Sequence, residues 1–256
     1  MRRGLFAWAV LLFFAFASVA AAAETGFLDR QVTVEGKASA YQVYVPKGYD
    51  RTRPLPVILF LHGAGERGVD GLLQTEVGLG SAIRRHVDRF PAIVVFPQAA
   101  PQTVWQGPPA RAALAALDRT MREFRIDRRR VYLAGLSMGG NGAWHLAYNH
   151  PDRFAAMVVI CGFVTPRGPL LSIPPATEID PFGAVARKVA GIPVWLVHGD
   201  ADPTVPVDES RRMAAALKAA GANVTYRELP GVGHNAWDAA FRSEELPQWL
   251  FGQAKR

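Results

Sequence analysis

Cysteine is nearly absent from this sequence: the 256 residues contain a single one, Cys161. One cysteine cannot form an intramolecular disulfide, so the fold must be stable without such a cross-link. The residue lies in the apolar run FAAMVVICGF at 154–163, which has the composition of a buried strand. We therefore expect Cys161 to be part of the core packing.

Charge is also sparse and mixed in sign. Charged residues make up 20% of the chain, and the formal net charge is +7. The densest basic stretch, RIDRRR at 125–130, includes an acidic residue and leads straight into a strand-like run. This is not the pattern of a nucleic-acid-binding surface, and we predict no nucleic-acid partner.

Internal repeats and low-complexity linkers are missing as well, whereas 50% of the residues are hydrophobic. A chain of this length and composition can bury a full core. The sequence therefore predicts one globular domain over residues 24–256.

The one long hydrophobic run stands at the N terminus. Two arginines precede an apolar stretch that ends in small residues, Ala21, Ala22 and Ala23. This order is typical of a signal peptide over residues 1–23, cleaved near Ala23. A retained anchor is the alternative, since about 20 apolar residues can span a bilayer. No cysteine lies near the cleavage point, which argues against a lipid anchor. We therefore predict a periplasmic or secreted protein without stable membrane association.

Eight short runs rich in β-branched and aromatic residues recur along the rest of the chain. They are QVTVEG, AYQVYVP, PVILFLHG, AIVVFPQ, RVYLAG, AAMVVICG, IPVWLVHG and NVTYREL. Helix-length stretches separate the later runs, namely PARAALAALDRTMREF, GGNGAWHLAYNH and DESRRMAAALKAAG, and AWDAAFRSEELPQWLF follows the last. The first two runs alternate in polarity, which suits an antiparallel edge. The pattern predicts an α/β fold with a mostly parallel eight-stranded sheet, helices on both faces and ligands at the carboxyl ends of the strands.

One segment departs from this alternation. Residues 163–183, FVTPRGPLLSIPPATEIDPFG, contain five prolines and follow the sixth predicted strand. Two interpretations stay open, a surface excursion and a small cap over the functional site.

The stretch GLSMG at 135–139 matches the pattern G-x-S-x-G between an apolar strand and a helix-like stretch. In this setting Ser137 occupies a tight turn that raises its hydroxyl above the sheet. Gly135 and Gly139 are needed where strand and helix meet, and the amide of Met138 points at the carbonyl oxygen of a substrate. The pattern alone is weak evidence, because a serine nucleophile also needs a base and an orienting acid.

Candidates for both follow in the expected chain order. HGDADPTVPVDES, after the seventh predicted strand, offers Asp200 and Asp202, and LPGVGHNAW, after the eighth, places His234 in a glycine-bounded loop. Asp200 can instead cap its own turn, so Asp202 is the favoured acid. Ser137 would attack an acyl carbon while His234 moves the proton and Asp202 orients the imidazole. The other histidines of the later strands and helices, His198 among them, need no catalytic role.

A loop of small residues, FLHGAGERG at 60–68, follows the third predicted strand. Related folds place the second oxyanion donor in such a loop. We expect the amide of Ala64 to act with that of Met138, and Gly63 and Gly65 to be alternatives that also lie beside the substrate. Removing one such donor typically costs about 3 to 4 kcal/mol of transition-state stabilisation.

Three further side chains near this edge of the sheet have open interpretations. Trp105, in PQTVWQG after the fourth predicted strand, would be either a wall of the substrate site or ordinary packing. Glu66 and Arg67 would either line the pocket or pair with each other as a solvent-exposed pair in the loop, which is the favoured interpretation.

Taken together, LHGAGERG, GLSMGGNGAWHLAYNHPDRFAAMVVICG, PVWLVHGDADPTVPVDESRRMAAALKAAGANVTY and GVGHNAWDAAF resemble the secreted α/β-hydrolase serine esterases related to the prolyl oligopeptidase group. The resemblance covers about residues 40–250. It implies Ser137, Asp202 and His234 as the triad, with no metal and no organic cofactor. Two features depart from the family pattern: the 163–183 segment is longer, and ICGF replaces a more glycine-rich turn. Both lie where substrate selectivity is set.

The resemblance implies hydrolysis of carboxylic esters, with short acyl, aryl or polysaccharide-linked esters as substrates. Polyester depolymerisation and the removal of feruloyl or acetyl groups are specialised forms of this activity. A serine peptidase of the same wider group is one alternative, although the chain has no room for the propeller domain of those peptidases. An inactive hydrolase-fold binding protein is another, although all three triad residue types are present.

Overall fold

A computed structural model describes residues 24–168 and 172–255. Its strands are β1 (Gly26–Val34), β2 (Lys37–Val45), β3 (Leu55–Leu61), β4 (Ile93–Pro97), β5 (Ile126–Leu136), β6 (Ala156–Ile160), β7 (Val194–Gly199) and β8 (Val224–Leu229). They form one sheet in the order β1-β2-β4-β3-β5-β6-β7-β8. Strand β2 pairs antiparallel with β1 and β4, and the remaining neighbours are parallel. The predicted sheet, with its antiparallel edge, is confirmed.

The edge hairpin is closed by a two-residue turn. Glu35 and Gly36 have φ angles of 51° and 74°, and Val34 pairs with Lys37 across the turn. Two left-handed residues are what a tight hairpin turn requires, because their twist matches that of the flanking strands. The turn therefore fixes the register of β1 on β2.

The helices are α1 (Leu79–Arg85), α2 (Pro108–Glu123), α3 (Met138–Asn149), α4 (Pro181–Val189), α5 (Asp208–Ala219), α6 (Ala236–Arg242) and α7 (Glu245–Phe251). Helices α2 to α5 pack on one face of the sheet, where the core includes Leu117, Trp144, Val185 and Leu217. Helices α1, α6 and α7 cover the other face, where Ile83, Phe241 and Leu250 are buried. The sheet thus has a hydrophobic core on each side, as continuously apolar parallel strands require.

The C-terminal helical stretch differs from the sequence prediction. Instead of one helix over 236–251, α6 ends before Ser243, whose ψ of 139° leaves the helical region. The Ser243 hydroxyl then accepts a hydrogen bond from the amide of Glu245 at 3.1 Å, which starts α7. Pro247 falls in the first turn of α7, where its missing N–H interrupts no helical hydrogen bond.

The predicted signal peptide, residues 1–23, lies outside the described residues. Within residues 24–168 and 172–255, every helix is too short or too polar to cross a bilayer.

Candidate active site

Ser137 lies at the turn between β5 and α3, as its sequence pattern predicts. Its φ is 53° and its ψ is −119°, an uncommon conformation for a residue with a side chain. The turn is held by two backbone hydrogen bonds, from the Ser137 amide to the Ile160 carbonyl at 2.8 Å and from the Asn141 amide to the Ser137 carbonyl at 3.1 Å. The backbone therefore fixes where the hydroxyl points.

The two glycines of the turn let neighbouring backbone segments approach each other closely. A Cβ on Gly135 would overlap the carbonyl group of Gly139, and a Cβ on Gly139 would overlap that of Leu61. Strand and helix meet at backbone distance here, which agrees with the role that the sequence predicted for both glycines.

His234 lies in the loop between β8 and α6 and contacts the other two predicted residues. Its Nε2 is 2.9 Å from Ser137 Oγ, and its Nδ1 is 2.7 Å from Asp202 Oδ2. The Asp202 side chain is buried and that of His234 is 21% exposed. The three side chains form a continuous hydrogen-bonded line from Ser137 Oγ to the buried Asp202 carboxylate, with the partly exposed imidazole of His234 in the middle.

The Asp202 carboxylate is held in its ionised form. Burial alone would raise its pKa, but hydrogen bonds from His234 and from the amides of Val205 and Thr204 outweigh that effect and lower the pKa. The two amides donate to Oδ1 at 2.9 and 2.8 Å, which leaves Oδ2 for the imidazole.

Asp200, the alternative acid, is exposed and occupied elsewhere. Its Oδ1 accepts a hydrogen bond from the Gly231 amide at 2.7 Å and so anchors the loop after β8. Of the two aspartates, only Asp202 contacts His234.

Two helix starts face this site. Met138 is the first residue of α3, and Ala64 is the first residue of a short 3₁₀ helix, Ala64–Glu66. Amides at such positions have no partner inside the helix and are available to an external oxygen. Gly63 is buried so closely that a Cβ on it would come within 3.6 Å of the Ser137 Cβ, whereas Gly65 is exposed with open space around it.

His62, to which the sequence assigned no role, holds this loop in place. The Ala99 amide donates to its Nε2 at 3.0 Å, so Nδ1 carries the proton and donates to the Gly63 carbonyl at 2.6 Å. Burial lowers the pKa of His62 to about 4, which keeps the ring neutral at physiological pH. A neutral histidine thus ties the loop after β3 to the loop after β4.

The structure corrects the expectation that Trp105 forms a substrate wall. Its side chain is only 1% exposed, because it packs under the loop rather than beside the opening. The indole N–H donates to the His62 carbonyl at 2.9 Å, and the ring meets the imidazole edge-on with centroids 4.9 Å apart. Trp105 supports the loop and cannot contact a substrate directly.

Glu66 and Arg67 do not form the solvent-exposed pair that the sequence suggested. Arg67 Nε donates to the Thr103 carbonyl at 2.6 Å, and its Nη2 donates to Met138 Sδ at 2.9 Å. The Glu66 carboxyl turns back toward the amide of Gly63, and burial raises its pKa. Arg67 therefore braces the loop against the serine turn, and Glu66 folds back within the loop.

Cys161 is buried as predicted, but it also touches the site. Its Sγ donates to the His234 carbonyl at 3.3 Å, and with Asp202 and His234 it forms a group whose potential metal ligands lie within 4.8 Å of one another. Burial raises the pKa of the thiol to about 12, and the Asp202–His234 contact is already a hydrogen bond. A metal would have to break that bond and ionise the thiol, so the group is better explained by its hydrogen bonds.

Trp237, which the sequence argument did not single out, stands against the imidazole. Its ring is almost perpendicular to that of His234, at 85°, with centroids 5.3 Å apart. Trp237 is the second residue of α6 and stands three positions after His234, so the turn into the helix brings the two rings together.

The described part of the 163–183 segment packs beside the Asp202 loop. Its Val164 amide donates to Glu209 Oε2 of α5 at 2.9 Å, and Arg167 Nη2 donates to the Thr204 carbonyl at 2.8 Å. Positions 169–171 lie outside the described residues. The interpretation of this segment as a cap stays a prediction.

A groove of about 620 Å³ opens between the β1–β2 hairpin and the loop after β4. Aliphatic groups line much of it: Val34, Ala40, Val69, Val104, Pro108 and Ala112. Of the charged residues at its rim, Glu35 is paired with Arg111 at 2.8 Å. Thr103, whose carbonyl accepts from Arg67, also lines the groove, so Arg67 links it to the serine turn.

Known proteins are similar to this chain over most of its length. A family model described as "Putative esterase" matches residues 35–244. A solved thermostable esterase superposes with a TM-score of 0.77 at 30% identity, and the match covers 90% of this chain and 63% of that one.

Two relatives are similar in sequence. "Putative esterase NocK" from Nocardia uniformis subsp. tsuyamanensis is 30% identical over 191 residues, which are 70% of this chain and 49% of that protein. "Uncharacterized secreted protein" from Arthroderma benhamiae is 27% identical over 212 residues, which are 72% of this chain and 22% of that protein. The chain spans less than two thirds of the length of each of these proteins.

Proposed function

The chain belongs to the esterase family, and from this premise we propose that it is a serine hydrolase that cleaves carboxylic esters. The observation that carries the proposal is the hydrogen-bonded line from Ser137 Oγ through His234 to Asp202. This order is the one that activates a hydroxyl for acyl transfer.

In the first half-reaction, Ser137 Oγ attacks the acyl carbon and His234 Nε2 takes the hydroxyl proton. The carbonyl π electrons move onto oxygen, and the tetrahedral intermediate collapses as His234 protonates the departing alcohol. An acyl-enzyme remains. In the second half-reaction, water attacks in the same way, and the acid leaves with Ser137 restored.

Asp202 stays ionised throughout and stabilises the imidazolium that forms twice in each cycle. The developing oxyanion is received by the amides of Met138 and Ala64. Both begin helical turns, where partial positive charge adds to the two hydrogen bonds.

The substrate is an ester of a small molecule or of a polysaccharide. The groove supports an ester whose larger half is mainly apolar, because most of the surface that lines it is apolar and the carboxylate of Glu35 is already paired, although Lys37 also lines it. We place that half of the substrate in the groove, with Arg67 between it and the reacting carbon.

The protein is exported, with residues 1–23 removed as a signal peptide. The order of charged, apolar and small residues there supports this, as does the description of the Arthroderma relative as secreted. Expression of the full chain in a Gram-negative host should yield a periplasmic protein whose mass corresponds to a start near Glu24. A full-length protein in the membrane fraction would contradict export with cleavage.

The activity is tested with p-nitrophenyl acetate and butyrate on the purified protein. We expect turnover that Ser137→Ala abolishes while circular dichroism and the melting temperature stay unchanged. Ser81→Ala, on α1, serves as the control and keeps full activity. Unchanged turnover in Ser137→Ala would overturn the assignment, and faster cleavage of peptide p-nitroanilides than of esters would favour a peptidase.

A further inference from the structure

A second histidine contacts the carboxylate of Asp202. His198, near the end of β7, is fully buried, and its Nε2 lies 3.2 Å from Asp202 Oδ2 and 3.0 Å from the Val205 carbonyl. Its Nδ1 is 2.7 Å from Ser210 Oγ of α5. The sequence treated this histidine as having no part in the chemistry.

The contacts determine which ring nitrogen carries the proton. Nε2 faces two oxygen atoms that can only accept, a carbonyl and an ionised carboxylate, so Nε2 must be the donor. Burial lowers the pKa of His198, so the ring is neutral and Nδ1 is unprotonated. The Ser210 hydroxyl must then donate to Nδ1. One tautomer satisfies all three contacts.

We propose that His198 is a positioning residue whose Nε2–H is shared between the Val205 carbonyl and Asp202 Oδ2, while the Ser210 hydroxyl donates to Nδ1 and holds the ring in this orientation. The proposal rests on the proposed function, in which Asp202 orients His234. Asp202 Oδ2 thereby receives two imidazole donors, and Oδ1 receives two backbone amides. A carboxylate held by four donors cannot rotate away from His234.

The other titratable groups around the two histidines already have hydrogen-bond or ion-pair partners. The titratable groups that neighbour this cluster are Cys161 at the end of β6, Glu228 of β8, Glu209 of α5 and His234 itself. Cys161 stays a thiol, Glu228 is paired with Arg211 at 2.7 Å, and Glu209 is bound by the Val164 amide at 2.9 Å. Loss of the hydrogen bond from His198 would therefore have the most direct effect on the negative charge of Asp202.

Loss of this donation has a defined effect on pH dependence. Without the Nε2–H, the negative charge on Asp202 is less stabilised, and the carboxylate attracts the protonated form of His234 more strongly. Catalysis needs His234 neutral in the free enzyme, so the acidic limb of the kcat/KM profile moves to higher pH.

His198→Met and His198→Gln test the proposal as a matched pair with p-nitrophenyl acetate between pH 5 and 9. Methionine fills similar space without an N–H, whereas the glutamine amide can reach the position of Nε2. We expect His198→Met to lower kcat about tenfold with KM nearly unchanged, and to move the acidic limb upward by about half a pH unit. His198→Gln should restore most of kcat. Equal losses in both variants, or a wild-type profile in His198→Met, would overturn the proposal.

Ser210→Ala covers the case in which the buried His198 variants fail to fold. It removes the hydrogen bond that the hydroxyl donates to Nδ1 and so loosens the orientation of the ring, and we expect a smaller loss of kcat with a shift of the acidic limb in the same direction. A kcat and acidic limb equal to those of the wild type would refute the role of Ser210.

Nitrogen-15 NMR of histidine-labelled protein reports the tautomer without any activity. We expect His198 to show protonated Nε2 in the wild type and in Ser137→Ala. Protonated Nδ1 would overturn the proposal even in an active enzyme. Failure of the proposed function would instead appear as turnover that survives Ser137→Ala.

Discussion

At the scale of the single residue, the site depends on one side chain held in an unfavourable backbone conformation. A residue other than glycine at a φ of 53° costs about 1 to 3 kcal/mol, and the backbone hydrogen bonds to Ile160 and from Asn141 oppose its relaxation. Relaxation would swing the Ser137 hydroxyl away from His234. The strain and the 2.9 Å contact are therefore parts of the same arrangement.

The two aspartates of the loop after β7 offer a sharp test. Asp202→Asn should lower kcat for p-nitrophenyl acetate by about 10⁴-fold, because an amide can favour the wrong imidazole tautomer and cannot stabilise its charged form. Asp200→Asn keeps an oxygen for the Gly231 amide and should stay within about threefold of wild type. Similar losses in the two variants would mean that Asp202 is not the orienting acid.

The residues that the sequence could and could not identify differ in a physical way. Ser137, Asp202 and His234 were predictable because each follows a strand in an order that acyl-transfer chemistry requires. The roles of His62 and His198 were not predictable, because each ring is also oriented by a distant partner, Ala99 and Ser210 respectively, that only the fold brings close. Trp105 was open for the same reason: a position at the sheet edge does not say whether a ring lies above or below the loop.

At the scale of the element, the loop after β3 behaves as a braced unit. His62 ties it to the loop after β4, and Gln98 Nε2 donates to the Glu66 carbonyl at 3.2 Å. Arg67 joins it to the serine turn through Met138. Such bracing keeps the amide of Ala64 oriented before the substrate arrives. Donors that are oriented in advance stabilise an oxyanion most strongly.

The neutral His62 makes this bracing sensitive to pH. Its pKa is about 4 in the fold against 6.5 in the unfolded chain, so between these values only the unfolded chain binds the proton. Stability conferred by this group therefore falls as pH drops below 6.5, by about 2 to 3 kcal/mol between pH 7 and 4.5. In urea unfolding, the free energy of unfolding of His62→Gln should change less between pH 7 and 4.5 than that of the wild type, by about 2 to 3 kcal/mol. An equal change in the two proteins would contradict this.

Gly63 tests how closely the loop must approach the serine. In Gly63→Ala the new Cβ would come within 2.9 Å of Leu136 Cδ1 and 3.1 Å of Glu66 Oε2, so these side chains must move or the loop itself must shift. We expect kcat to fall at least about tenfold, because displaced oxyanion amides lose transition-state stabilisation. Gly191→Ala, where a Cβ meets open space, is the control. Wild-type kcat in Gly63→Ala would show that the loop tolerates displacement.

The elements themselves were largely predictable. All eight strands were, because β-branched runs between turn residues mark buried parallel strands. The break between α6 and α7 was not, since the apolar periodicity continues through it and only the extended Ser243 interrupts the helix. Helices α1 and α4 were also missed, at seven and nine residues, because so short a stretch shows little periodicity.

At the scale of the whole molecule, the sheet brings together residues far apart in sequence. Ser137 and His234 are separated by 97 positions, yet both lie where parallel strands end at the same edge. The cores on the two faces hold the strands in register, so the site geometry depends on the entire sheet. Chain order and strand ends were therefore enough to predict the triad. The groove could not be predicted in this way, because the β1–β2 hairpin and a loop form it.

The proposed placement of the larger half of the substrate in the groove predicts which esters are hydrolysed well. Ala112 lines it from α2, and Ala112→Phe would fill part of its volume of about 620 Å³. We expect kcat/KM for p-nitrophenyl octanoate to fall at least about fivefold, a loss of roughly 1 kcal/mol of binding, while acetate, which is too short to need the groove, changes little. Ala215→Phe, on the exposed side of α5, controls for the added ring. Equal changes for octanoate and acetate would mean that the larger half of the substrate lies elsewhere, because a filled groove can act only on a group that enters it.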